Sequence, residues 1–142
     1  MNIITKDGRK FVQDDFIYGV NVASLAAAAS VTQNISIEAD SNFLVVKASY
    51  FASIAGAAVT DSTRVIPLVS VSITDSGSGR NLQNIPIQIS SLAGNDGLPM
   101  VWAIPREFKA SSNISVTFTN TSAATTYTNL SLALIGVKQF AM

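Results

Sequence analysis

Apolar and polar residues alternate one by one along several stretches of this chain, and a period of two marks a β-strand with one buried face. Ile114, Val116 and Phe118 alternate with Ser115, Thr117 and Thr119, and Leu130, Leu132 and Leu134 alternate with Ser131 and Ala133. Val65, Val69, Val71 and Ile73 share one face, with Ser70 and Ser72 on the other. Val31, Gln33, Ile35 and Ile37 follow the same period more loosely. Residues 43–51 are dense in β-branched and aromatic side chains, which suits a central strand or one buried on both faces. No stretch sustains a helical period.

Turn chemistry separates these runs. Residues 38–42, 75–79, 93–97 and 120–126 collect Gly, Asn, Asp and Ser, which bond locally or permit a left-handed backbone. Residues 16–20 suit a first short strand, and residues 98–104 an apolar strand carrying Trp102. Ile85, Ile87 and Ile89 are in phase around Pro86, whose missing N–H places that strand at an edge. Residues 23–29 fit either one helical turn or a small-residue strand, with extended chain favoured. Residues 105–112 suit a loop, and the strands around Val116 and Leu132 suit an antiparallel hairpin. Seven or eight strands with no helical period imply an all-β fold, a two-sheet β-sandwich of jelly-roll type. It occupies residues 16–142, preceded by an extended N-terminal arm over residues 1–15.

Composition bears on function through what is missing. The chain has no His and no Cys, so the side chains most easily tuned to neutral-pH catalysis are absent, with every thiolate metal site. Nine Lys plus Arg balance nine Asp plus Glu, which gives no pull toward nucleic acid or an anionic membrane. Charged residues make up 13% of the chain and hydrophobic ones 48%, against a usual charged share of about 25%. So few charges imply surface covered by partners, because interface cores are depleted of charge. Residues 16–37 carry no charge, but Gly19, Asn21, Ser24, Ser30, Thr32, Gln33, Asn34 and Ser36 disqualify them as a membrane span. Asp14 and Asp15 sit where a signal peptide would be basic, so the expectation is a soluble chain without an export segment.

Each candidate for chemistry has a plainer reading. A Ser–His–acid relay is impossible, and Lys47 with Ser49 reads as a strand lysine with its head in water. Glu38, Asp40, Asp61, Asp75, Asp96 and Glu107 fall mostly in turns, where acids serve the backbone. Asn95 and Asp96 lack the spacing of a calcium loop. Trp102 lies in an apolar run, which suits core or subunit contact better than a sugar-stacking platform. The N-x-S matches at Asn34, Asn113, Asn120 and Asn129 read as products of composition. The expectation is therefore no enzyme, no catalytic residue, no cofactor, no metal and no small-molecule substrate. Six of the charged residues crowd into the first 15, and Arg9, Lys10, Phe11, Asp14, Asp15 and Phe16 are the candidate partner-binding residues. Mixed charge around two phenylalanines would fix register along a neighbour.

Three C-terminal stretches carry a resemblance: Ile104-Pro-Arg-Glu-Phe108, Ser112-Asn-Ile-Ser-Val-Thr-Phe-Thr-Asn120 and Tyr127-Thr-Asn-Leu-Ser-Leu-Ala-Leu-Ile-Gly-Val-Lys138. In these the chain resembles small structural proteins of tailed bacteriophages, in particular capsid cement or decoration proteins with a jelly-roll fold. The resemblance covers about the last 40 residues well and the remainder in length and composition. It implies a virion protein on the capsid exterior, made in the host bacterial cytoplasm. Its partners would be the major capsid protein and further copies of itself, as homodimer or homotrimer, with no nucleic acid or membrane bound. Two alternatives stay open: a minor head-fibre, neck or tail component, and a carbohydrate-binding β-sandwich module for host recognition.

Overall fold

The computed structural model describes residues 2–55, 65–95 and 98–141. In chain order these form β1 (Asn2–Lys6), β2 (Arg9–Leu25), β3 (Ser30–Ser36), β4 (Asn42–Ile54), β5 (Val69–Asp75), β6 (Arg80–Asn81), β7 (Ile87–Gln88), the single turn α1 (Ile89–Leu92), β8 (Met100–Phe108), β9 (Asn113–Asn120) and β10 (Tyr127–Ala141). Two sheets result: sheet A in the order β1-β2-β10-β4-β8 and sheet B in the order β3-β9-β5-β6, with β7 also on β5. The pairing is nested, β2 with β10, β3 with β9, β4 with β8 and β5 with β6, all antiparallel. Such a chain is one long hairpin rolled into two layers, and the all-β sandwich expected from the alternation is what it builds.

The core is the sum of the inward-facing halves of that alternation. Sheet A contributes Tyr18, Val20 and Val22 from β2, Leu130, Leu132 and Leu134 from β10, Phe43, Val45 and Ala48 from β4, and Phe108 from β8. Sheet B answers with Ile35 from β3, Ile114, Val116 and Phe118 from β9, and Val69, Val71 and Ile73 from β5. Each fully buried Val, Leu, Ile or Phe side chain contributes about 1.5–3 kcal/mol relative to exposure, so these two layers hold the fold without disulfides.

Five sequence expectations change. Residues 1–15 are not an extended arm where described: β1 and the start of β2 form a hairpin closed at Asp7 and Gly8, with φ of 51° and 75°. Two left-handed residues in a two-residue loop suit the twist of the flanking strands, which is why Asp-Gly closes hairpins. β2 then runs on through residues 16–20 as one 17-residue strand rather than starting there. β9 and β10 are not a hairpin, because β9 pairs with β3 and β5 in sheet B while β10 pairs with β2 and β4 in sheet A. The isoleucine run around Pro86 yields a two-residue strand and then α1, and β8 extends to Phe108 into the expected loop.

The margin of sheet B beside β5 is sealed by a side chain. Between the short strands β6 and β7, the Gln83 amide accepts from the Ile73 N–H (3.0 Å) and donates to the Val71 carbonyl (3.2 Å). A side-chain amide carries one donor and one acceptor group like a peptide, so Gln83 completes the ladder where no strand does. On the same side, β8 is the last strand of sheet A.

Candidate functional site

The two outward faces of the sandwich differ in chemistry. Across sheet B the register lines up Ser30, Thr119 and Ser70, then Thr32, Thr117 and Ser72, then Asn34, Ser115 and Thr74. These rows contain no charge, and hydroxyls of β3 and β9 bond directly, Ser30 to Thr119 and Thr32 to Thr117, each at 2.9 Å. Sheet B presents a face that water wets.

Across sheet A the corresponding rows read Ile17, Ile135, Lys47 and Val101, then Asp15, Val137, Leu44 and Glu107, then Gly19, Ala133 and Ser49. Ile17 is 58% exposed and Val101 63%; Ile135, Val137 and Leu44 are half-buried. Lys47 is the charge within the apolar rows, and Asp15 and Glu107 stand at their ends. The middle of this face is an apolar patch of Ile17, Ile135, Val137, Leu44 and Val101, bordered by the polar rows Gln13, Gln139 and Asn42 on one side and by Asn21 and Ser131 on the other; contiguous exposed apolar surface is a feature of interaction sites.

The β1–β2 hairpin bounds one end of this face. Its tip leans over the outward side of sheet A, where Lys6 Nζ lies 3.5 Å from a carboxylate oxygen of Glu107 on the opposite margin. Lys6, Asp7, Arg9, Phe11, Asn42, Glu107 and Gln139 surround a pocket of about 300 Å³ there. Of the six expected partner residues, the structure brings Arg9 and Phe11 together in this pocket and leaves Lys10 exposed beside them. Asp15 lies on the outward face. Asp14 is half-buried with Lys138 as its register partner in the adjoining strand. Phe16 belongs to the interior, stacked edge-on against Tyr18 with ring centres 4.8 Å apart.

That interior site contains a charge with no local sequence signal. Lys138, nearly buried, ion-pairs with Glu38 and places its ammonium 3.9 Å from the centre of the Phe16 ring. Burial alone lowers a lysine pKa, but the Glu38 hydrogen bond and the charges of Tyr18, Glu38 and Asp40 outweigh it and leave the net pKa raised. The ammonium stays charged at neutral pH and ties the end of β10 to the segment after β3. Tyr18 joins the same corner by accepting the Glu38 N–H at 3.2 Å.

At the β8 margin of sheet A, β8 departs from β4 in a long bulge: Arg106 pairs with Val45 and Val101 with Lys47, so residues 102–105 oppose Val46 alone. The bulge pushes Trp102, Ala103, Ile104 and Pro105 outward, and Ile104 is 82% exposed. Beneath it lies a groove of about 580 Å³, walled by Arg80 and Leu82 from the sheet B margin, Leu92 of α1, and Trp102, Ile104 and Arg106 of β8. Trp102 is half-buried, one side against the core and the other along the groove.

No protein-family model matches the chain, and no curated protein is found to resemble it. Function is therefore argued from the surfaces themselves. The acids weighed for catalysis have structural partners: Glu38 holds Lys138, Asp75 caps its own loop through the Gly77 N–H (2.9 Å) and the Ser78 hydroxyl (3.0 Å), and Asp40 accepts from Ser41 (3.0 Å). Asp61 and Asp96 lie outside the described residues. Among the described residues no three acids gather in a way that could hold a metal ion, and no helix is long and apolar enough to cross a membrane.

Proposed function

We propose that this chain is a non-enzymatic virion protein that decorates and stabilises a tailed-phage capsid by binding across neighbouring major capsid proteins on the exterior. The observation that carries the reading is the contrast between the two faces: sheet A has an outward apolar patch of Ile17, Ile135, Val137, Leu44 and Val101, while the outward rows of sheet B are coated with hydroxyls. A domain of this kind seats one side on a lattice and leaves the other to water. The nested pairing supports a jelly roll, the orders β2-β10-β4-β8 and β3-β9-β5-β6 being its two four-stranded sheets and β1 an addition. A fold does not fix a function, so the weight rests on the surface.

In this reading the face of sheet A supplies buried apolar area at about 25 cal/mol per Å², and the hairpin with Arg9, Lys10 and Phe11 sets the position through mixed charge. Copies would lie side by side as a homodimer or homotrimer. The test is to purify particles of the phage encoding this chain and count it against the shell protein. A high, fixed ratio is expected, with shells lacking the chain opening at lower temperature. About a dozen copies or fewer per particle would favour a minor head-fibre, neck or tail component instead.

A further inference from the structure

We infer that the groove between β8 and the β6–α1 margin binds an acidic sugar, a pyranose carrying a carboxylate, whatever else the chain attaches to. Its volume of about 580 Å³ falls within the roughly 300–1,000 Å³ range of small-ligand sites. The chain's one tryptophan lines it, half-buried and braced by the core. A rigid indole of this kind offers an apolar face to the C–H side of a pyranose ring. Leu82, Leu92 and Pro105 add apolar surface to the same wall.

The charge of the groove selects the acid. Arg80 and Arg106 reach it from the facing margins of the two sheets, one from β6 and one from β8. Arg80 is exposed and has no ion-pair partner among the described residues. Arg106 ion-pairs with Asp75 at 3.8 Å and donates to the Ser78 hydroxyl at 3.4 Å, both through one terminal nitrogen. The buried Nε of Arg106 has no acceptor at all among the described residues. The acid in the lining, Glu107, is engaged elsewhere by Lys6 at 3.5 Å and by the Asn42 amide at 3.1 Å. One guanidinium thus lacks a carboxylate partner and the other keeps an unpaired Nε, and a planar fork of N–H donors fits a carboxylate better than a neutral hydroxyl. A polyanion such as nucleic acid would need a longer basic track than two arginines on a chain of zero net charge.

The experiment titrates the whole chain with three acidic oligosaccharides, bearing glucuronate, galacturonate or sialate, and with their methyl esters. Trp102 fluorescence follows wild type and Arg80→Gln, and calorimetry follows Trp102→Ala. Saturable binding of at least one acid is expected, weaker by about tenfold or more as its ester, in Arg80→Gln and in Trp102→Ala. An unchanged melting temperature in both variants separates lost binding from lost fold. Failure of all three acids to bind, equal affinity for acid and ester, or unaltered binding by Arg80→Gln would overturn the inference. None of these outcomes bears on capsid attachment, which the particle count decides separately.

Discussion

Gly136→Ala lowers stability by about 3 kcal/mol, near the upper end of the usual range for forced overpacking, and the melting temperature by roughly 10 °C. Gly136 sits where β10 and β4 slip register, between the pairs Ile135–Lys47 and Gly136–Val45. A Cβ there would overlap the Leu44 carbonyl and crowd the Val45 Cα at 3.0 Å. Both obstacles are backbone of a central strand, so no side chain can swing aside, and the ladder between β10 and β4 must open. Gly19 is the control. A Cβ at Gly19 would come no nearer than 3.8 Å to the Leu132 carbonyl, so Gly19→Ala is expected to be neutral or slightly stabilising. Thermal melts of both variants, followed by far-ultraviolet circular dichroism, compare them directly.

Asn120→Ala is expected to cost a similar amount, about 3 kcal/mol, from three lost hydrogen bonds at roughly 1 kcal/mol each and the burial of their partners. The Asn120 amide is 1% exposed; it donates to the carbonyls of Leu25 (3.1 Å) and Thr125 (2.8 Å) and accepts from the Ser122 N–H (2.9 Å). One side chain thereby fastens the end of β2, the end of β9 and the segment that crosses from sheet B to sheet A. Asn120→Asp keeps the shape but removes both donations and buries a charge. It should be the less stable variant at pH 7 and recover toward pH 4, as the buried carboxyl takes a proton and regains one donor. Urea unfolding at the two pH values measures the difference.

The alternating runs were legible because Ser and Thr marked their wet face: β5, β9 and the middle of β10 have the inward residues that their sequence implies. Sheet membership was not legible there. Residues 121–126 look like a hairpin turn, whereas β9 and β10 pair in different sheets and Asn120 bonds to Leu25, 95 residues away, where the chain changes layers. The β1–β2 hairpin did have a signal, Asp7-Gly8, but Lys6, Arg9 and Lys10 around it hid the strand pattern. Lys138 had none, since the Phe16 ring beneath it lies more than a hundred residues earlier. The dense apolar run of β4 was ambiguous in the same way, because sequence does not tell a strand buried by its own domain on both sides from one with an outward contact face. The groove needed the β8 bulge to bring Trp102 and Arg106 beside Arg80.

The proposed function requires the outward apolar patch of sheet A to be a contact surface. Ile135→Lys tests it, placing a second ammonium beside Lys47 on that face while leaving the core untouched. Co-sedimentation with purified shells that lack the chain is the measurement. The variant should melt like the wild type yet fail to pellet with shells; a variant that pellets as the wild type does would show that this face is not where the chain docks.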